Sequence, residues 1–63
     1  MLPVVTRNGA FIGEAYTLED ACSVGFLNTD FTPSGALIVE VEEEWLEDKS
    51  FPQNAAKAWM VVE

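Results

Sequence analysis

The chain has 63 residues, enough for one domain (1–63), and eleven acidic side chains face only Arg7, Lys49 and Lys57, with no histidine and a net charge of −8. That balance argues against direct binding to nucleic acid or an anionic membrane, both of which select for Lys and Arg, and it favours a basic partner. A 49% apolar composition with seven aromatic residues excludes an acidic disordered tail.

The first element is a β-hairpin over residues 2–16. Val4 to Arg7 and Ala10 to Ile12 flank Asn8-Gly9, a pair suited to a two-residue turn in which both positions take positive φ. With that turn, Val5 lies opposite Ile12 and Thr6 opposite Phe11. One face then carries Leu2, Val4, Thr6, Phe11 and Ala15. The other carries Val5, Arg7, Ile12, Glu14 and Tyr16 and, holding the charges, is expected to point outward.

A helix is expected next. Thr17 is a good N-cap, Glu19 and Asp20 sit where the helix dipole favours negative charge, and Asn28 is a natural end. Leu18, Ala21, Cys22, Gly25 and Phe26 recur at helical spacing, giving an apolar stripe to lay on a sheet. Gly25, a poor helix former, suggests close approach of helix and sheet. Thr29 to Gly35, with Pro33-Ser34-Gly35, reads as a turn-rich loop.

Residues 36–45 show the clearest strand pattern: Leu37, Val39, Val41 and Trp45 on one side, Ile38, Glu40, Glu42 and Glu44 on the other. Glu43 interrupts the apolar side, and Glu42 to Lys49 also admits a helical turn. After a segment containing Pro52, the apolar run Ala58 to Val62 fits a buried strand or one that joins a dimer. The expected fold is therefore α+β: an antiparallel sheet of three to four strands with one helix packed on one face, in β-β-α-β-β order.

Catalytic chemistry finds little here. Without histidine, triads and dyads that need an imidazole base are excluded, and no glycine pattern cradles phosphate. Cys22 lies on the apolar stripe and reads as a structural thiol. A lone cysteine cannot form an internal disulfide, which fits a cytoplasmic protein. The N-terminus lacks the basic start and apolar stretch of a signal peptide, and no apolar run approaches the ~20 residues of a membrane span. Glu42, Glu43, Glu44, Glu47 and Asp48 offer oxygen ligands, but not with the spacing or glycine of a calcium loop, so no metal or cofactor is expected.

The informative feature is an acidic strip. In a strand, Glu40, Glu42 and Glu44 would project from one face at intervals of about 6.6–6.8 Å, and Glu43, Glu47 and Asp48 would extend the charge. Such an array mimics a nucleic-acid backbone and suits a groove built to receive one. Trp45 and Tyr16 are the candidate apolar anchors beside it, since binding hot spots favour these residues. Read structurally, the same glutamates are the solvated face of a half-exposed strand.

In size, acidity and mixed α/β patterning the chain resembles small phage-encoded inhibitors, anti-CRISPR proteins among them, several of which use acidic surfaces to block nucleic-acid-binding sites on host defence complexes. The resemblance lies in composition over the whole chain and in no motif. It implies a non-catalytic inhibitor working in the host cytoplasm against a basic, nucleic-acid-binding protein complex. The alternative is a structural or regulatory interaction module, such as a homodimer, that uses apolar strand faces around Val5, Ile12 and Met60.

Overall fold

The computed structural model describes residues 1–63. Strands β1 (Leu2–Val5) and β2 (Phe11–Ala15) precede helix α1 (Leu18–Asn28). Strand β3 (Gly35–Glu40), a 3-10 turn (Glu43–Glu47) and strand β4 (Lys57–Val62) follow. The four strands form one sheet in the order β2-β1-β4-β3.

The class is α+β, but the sheet is mixed rather than antiparallel. The pairs β1–β2 and β3–β4 are antiparallel, whereas β1 and β4 run parallel. The reason lies in which strands need cover. Pro3, Val4 and Val5 of β1 are all buried, as are Ala58 and Val61 of β4. Strands apolar on both faces belong at the centre of a sheet, and β2 and β3, in which only Ala15 is fully buried, take its edges. Helix α1 carries the chain back across the sheet to its far edge, so that β3 runs in the same direction as β2. β4, folded back on β3, therefore arrives parallel to β1. Strands and helix follow one another as β-β-α-β-β, with the 3-10 turn inserted between β3 and β4.

Because both faces are apolar, there are two small cores. Val4, Ala15 and Val61 meet Ala21 of α1 on one face. Val5 and Ala58 meet Trp45 and Phe51 on the other, beneath the segment joining β3 to β4.

The first hairpin departs from the expected register at two points. Gly9 N–H donates to Thr6 C=O (2.9 Å) and Thr6 N–H to Ala10 C=O (2.9 Å). Gly9 has φ +86°, while Asn8 does not take positive φ. A two-residue turn of the expected type needs positive φ at both, so the loop is the three-residue form, Arg7 to Gly9. The register then slips: Val4 faces Gly13 but Val5 faces Phe11, leaving Ile12 as a bulge. Phe11 thereby joins Val5 and the second core. Val5, expected on an outward face, is completely buried, and Met60 packs against the same core. The apolar contact surface expected around Val5 and Met60 is thus occupied by the chain itself.

Helix α1 starts at Thr17, whose hydroxyl accepts from Asp20 N–H (3.2 Å). Its inward face is narrower than the expected stripe. Ala21 and Gly25 are buried, while Leu18 and Phe26 are exposed. Two small residues one turn apart let the helix sit close to the sheet, which pushes its large neighbours to the flanks. A Cβ on Gly25 would lie 2.7 Å from Pro33 Cγ and 3.0 Å from Val61 Cγ1. No helix is long and apolar enough to cross a membrane.

Candidate functional site: an acidic turn anchored on the sheet

The expected strand over residues 36–45 ends at Glu40. Val41 N–H still donates to Ala56 C=O (3.0 Å), after which Trp45 N–H turns back to Glu42 C=O (3.1 Å) and Asp48 N–H to Trp45 C=O (3.3 Å). Continuing the strand would have put Glu43 on the side of Val39, Val41 and Trp45, an unpaired carboxylate in an apolar core. The tighter turn resolves this conflict. Trp45 is buried and Leu46 half-buried, while Glu43, Glu44 and Glu47 face solvent. The ladder of Glu40, Glu42 and Glu44 on one strand face is therefore not formed.

The carboxylates themselves remain displayed. Glu40, Glu42, Glu43, Glu44, Glu47 and Asp48, six acids in the nine positions 40–48, are all exposed. No Lys or Arg nitrogen comes within 4.0 Å of any carboxylate oxygen in the chain, although Lys57 is the cross-strand partner of Glu40. The five from Glu42 onward belong to the cover of the second core, so the charge sits on its outer surface.

An aromatic anchor holds that cover down. Phe51 is buried between Phe11, with ring centroids 5.3 Å apart and edge-on, and Trp45, 6.2 Å away and tilted. The indole of Trp45 rests on the backbone of Gly9 in the first hairpin turn, where a Cβ would come within 2.6 Å of Cδ1. Polar bonds close the end of the turn. Gln53 Nε2 reaches the carbonyl oxygens of Leu46 (3.1 Å), Phe51 (3.0 Å) and Asp48 (3.3 Å). Asp48 Oδ1 accepts from the Ser50 hydroxyl (2.6 Å) and Ser50 N–H (2.9 Å). These two bonds, the hydroxyl first, hold the Asp48 carboxyl below the ordinary carboxylate value.

The two expected apolar anchors fare differently from the acids. Trp45, only 8% exposed, belongs to the core and offers no surface to a partner. Tyr16 is exposed, but it lies just past β2, at the opposite edge of the sheet from Glu40. Three strand spacings, about 14 Å, separate those edges. Exposed apolar side chains lie elsewhere: Phe26 and Leu27 on α1, and Leu37 and Ile38 on β3. Phe26 and Leu27 border an open recess of about 380 Å³ with Cys22, Ser23, Thr32 and Pro33. The Ala21–Gly25 spacing was the signal that could have located the true inward face. No three acid or thiol groups converge as metal ligands. No protein-family model, curated protein or solved structure matches the chain.

Proposed function

We propose that this protein is a non-catalytic inhibitor that docks its acidic turn on the basic groove of a nucleic-acid-binding complex and so excludes DNA or RNA. The observation that carries this reading is the unneutralised, exposed run of six carboxylates at positions 40–48, most of it carried on a turn anchored by Trp45, Phe51 and Gln53. An anchored array meets its partner with little ordering cost, and its charge steers the encounter. Like charges gathered this closely oppose folding, so an acceptor of opposite charge is the condition under which the arrangement becomes favourable. The work is done in the cytoplasm, where CRISPR-type complexes are one class of target with such grooves.

The test is capture of partners from bacterial lysate on the tagged protein, with elution in rising salt, alongside a variant carrying Glu42→Gln, Glu43→Gln, Glu44→Gln and Glu47→Gln. A nucleic-acid-binding complex that releases at moderate salt, competes with nucleic acid and ignores the variant supports the proposal. A partner that binds wild type and variant alike, or resists high salt, overturns it.

A further inference from the structure

We infer that Asn8 is a site of spontaneous modification: its side-chain amide is lost by ring closure on the Gly9 nitrogen, and the rearranged product unseats Trp45 and loosens the acidic turn. The inference does not depend on that turn's partner.

The chain has three asparagines, and their surroundings differ. Asn28 ends α1, where its Nδ2 donates to Val24 C=O (2.8 Å), and the branched Thr29 follows it. Asn54 is exposed but precedes Ala55, whose Cβ crowds the nitrogen that would have to attack. Asn8 is exposed at the tip of the first hairpin and precedes Gly9, which has no Cβ to hinder approach to its nitrogen. The Asn8 Oδ1 accepts from the Thr6 hydroxyl, which draws electron density from Cγ, while Nδ2 makes no bond within the chain. An electrophilic carbon, an unheld leaving group and an unhindered nucleophile occur together at this asparagine alone.

The Gly9 nitrogen, on losing its proton, attacks Asn8 Cγ. The new N–Cγ bond closes a succinimide ring, the Cγ–Nδ2 bond breaks, and the leaving amide nitrogen takes up a proton and departs as ammonia. Water then opens the ring. Addition at Cγ gives aspartate, and addition at the main-chain carbonyl gives isoaspartate, whose backbone runs through Cβ. The Gly9 N–H is held by Thr6 C=O (2.9 Å), so closure waits on local opening of the loop, an event that costs least at loop tips.

The two products differ in what they do to Trp45. Aspartate keeps the backbone, and its carboxylate accepts from the Thr6 hydroxyl in the amide's place, next to the exposed Arg7. Isoaspartate lengthens the three-residue loop by one methylene. Thr6 closes that loop by bonds to Gly9 and to Ala10, both 2.9 Å, and the added atom breaks this closure. Gly9 then leaves the Trp45 indole, against which it packs so closely that a Cβ would lie 2.2 Å from Nε1. Trp45 seats the turn from Glu43 to Glu47 on the second core, so the disturbance passes from the hairpin to the acidic array.

The test is timed incubation of the intact chain, folded and in urea, at neutral and mildly alkaline pH, followed by peptide mapping by mass. In the folded chain Asn8 is expected to convert, faster as pH rises, while Asn28 and Asn54 keep their amides. The isoaspartate form, separated by chromatography, is expected to unfold roughly 4–8 °C below the wild type, the shift of a small domain that loses one net hydrogen bond. Amide exchange at Asp48 and Phe51 should quicken in that form. Asn8→Asp carries the same charge on an unaltered backbone and should keep the wild-type midpoint and exchange. Asn8→Ser should not change at all on incubation. If Asn8→Ser fails to fold, Asn8→Asp, which has no amide to lose, serves as the control. An Asn8 that stays intact in the folded chain while the chain in urea converts overturns the inference. So does an isoaspartate form with wild-type midpoint and exchange, or an Asn8→Asp variant that loses as much as that form does.

Discussion

The Trp45 indole lies so close to Gly9 that a Cβ there would stand 2.2 Å from Nε1. Gly9 also has φ +86°, a conformation that costs an L-residue about 1–2 kcal/mol. Gly9→Ala therefore combines that strain with about 1–3 kcal/mol of overpacking. Trp45→Ala is expected to cost about 3–5 kcal/mol as a core truncation. In the Trp45→Ala background, Gly9→Ala should cost only its backbone strain. Urea unfolding of both single variants and the double checks this coupling, and additive losses would refute the contact.

Gly25 makes the second close approach. Alanine normally stabilises a helix by about 1 kcal/mol over glycine. Here its Cβ would meet Pro33 Cγ at 2.7 Å and Val61 Cγ1 at 3.0 Å, both in packed positions. Overpacking of about 1–3 kcal/mol should outweigh the propensity gain. Gly25→Ala should lower the unfolding midpoint, while Ser23→Ala on the exposed side of α1 should leave it level or raise it.

These contacts mark where the sequence is legible and where it stops being so. Thr17 and Asn28 bounded the helix because capping is a local matter, and the strand pattern around Leu37 to Glu40 was likewise local. Three features depended on partners distant in the chain. The register of the first hairpin turned on whether Asn8 or only Gly9 took positive φ, and one bulge at Ile12 exchanged faces. The parallel β1–β4 pair joins opposite ends of the chain and leaves no turn signature. Trp45 was read as a surface anchor from the preference of binding hot spots for tryptophan, although the alternation already set it on the apolar side with Leu37, Val39 and Val41. The acidic residues were identified correctly as exposed, but their arrangement followed from where Trp45 had to go.

Gln53 ties the acidic turn together through the carbonyl groups of Leu46, Asp48 and Phe51, without carrying charge. Gln53→Ala should cost about 1–3 kcal/mol through lost and unsatisfied bonds. It should also weaken partner binding with the salt dependence unchanged, because the array loses order and keeps its charge. A change in salt slope would mean that Gln53 touches the partner directly.

An exposed acidic run with no ion pair should make this fold more stable as salt rises. Glu43→Gln and Glu44→Gln, singly and together, should raise the thermal midpoint at low salt and lose that advantage at high salt. On the proposed function, the same variants bind the partner less well, so stability and activity move in opposite directions. Variants that leave both unchanged would mark these residues as an inert solvated surface.

Asp48 should break that pattern. Its carboxylate accepts from the Ser50 hydroxyl and backbone, which lowers its pKa from the ordinary 3.8. A depressed folded pKa means the unfolded chain takes up the proton first as pH falls. The stabilisation is therefore fully present above the ordinary value and lost as pH drops through the lower, folded one. Asp48→Asn should thus destabilise the protein at neutral pH, although it removes one negative charge from a chain of −8. Glu43→Gln, which removes the same charge from a site without such bonds, should stabilise it. The difference between the two variants should shrink in acid. Ser50→Ala should raise the Asp48 pKa toward the ordinary value while the backbone donor remains, read from the carboxyl carbon shift in an NMR titration. An unmoved titration would show that the hydroxyl bond does not form in solution.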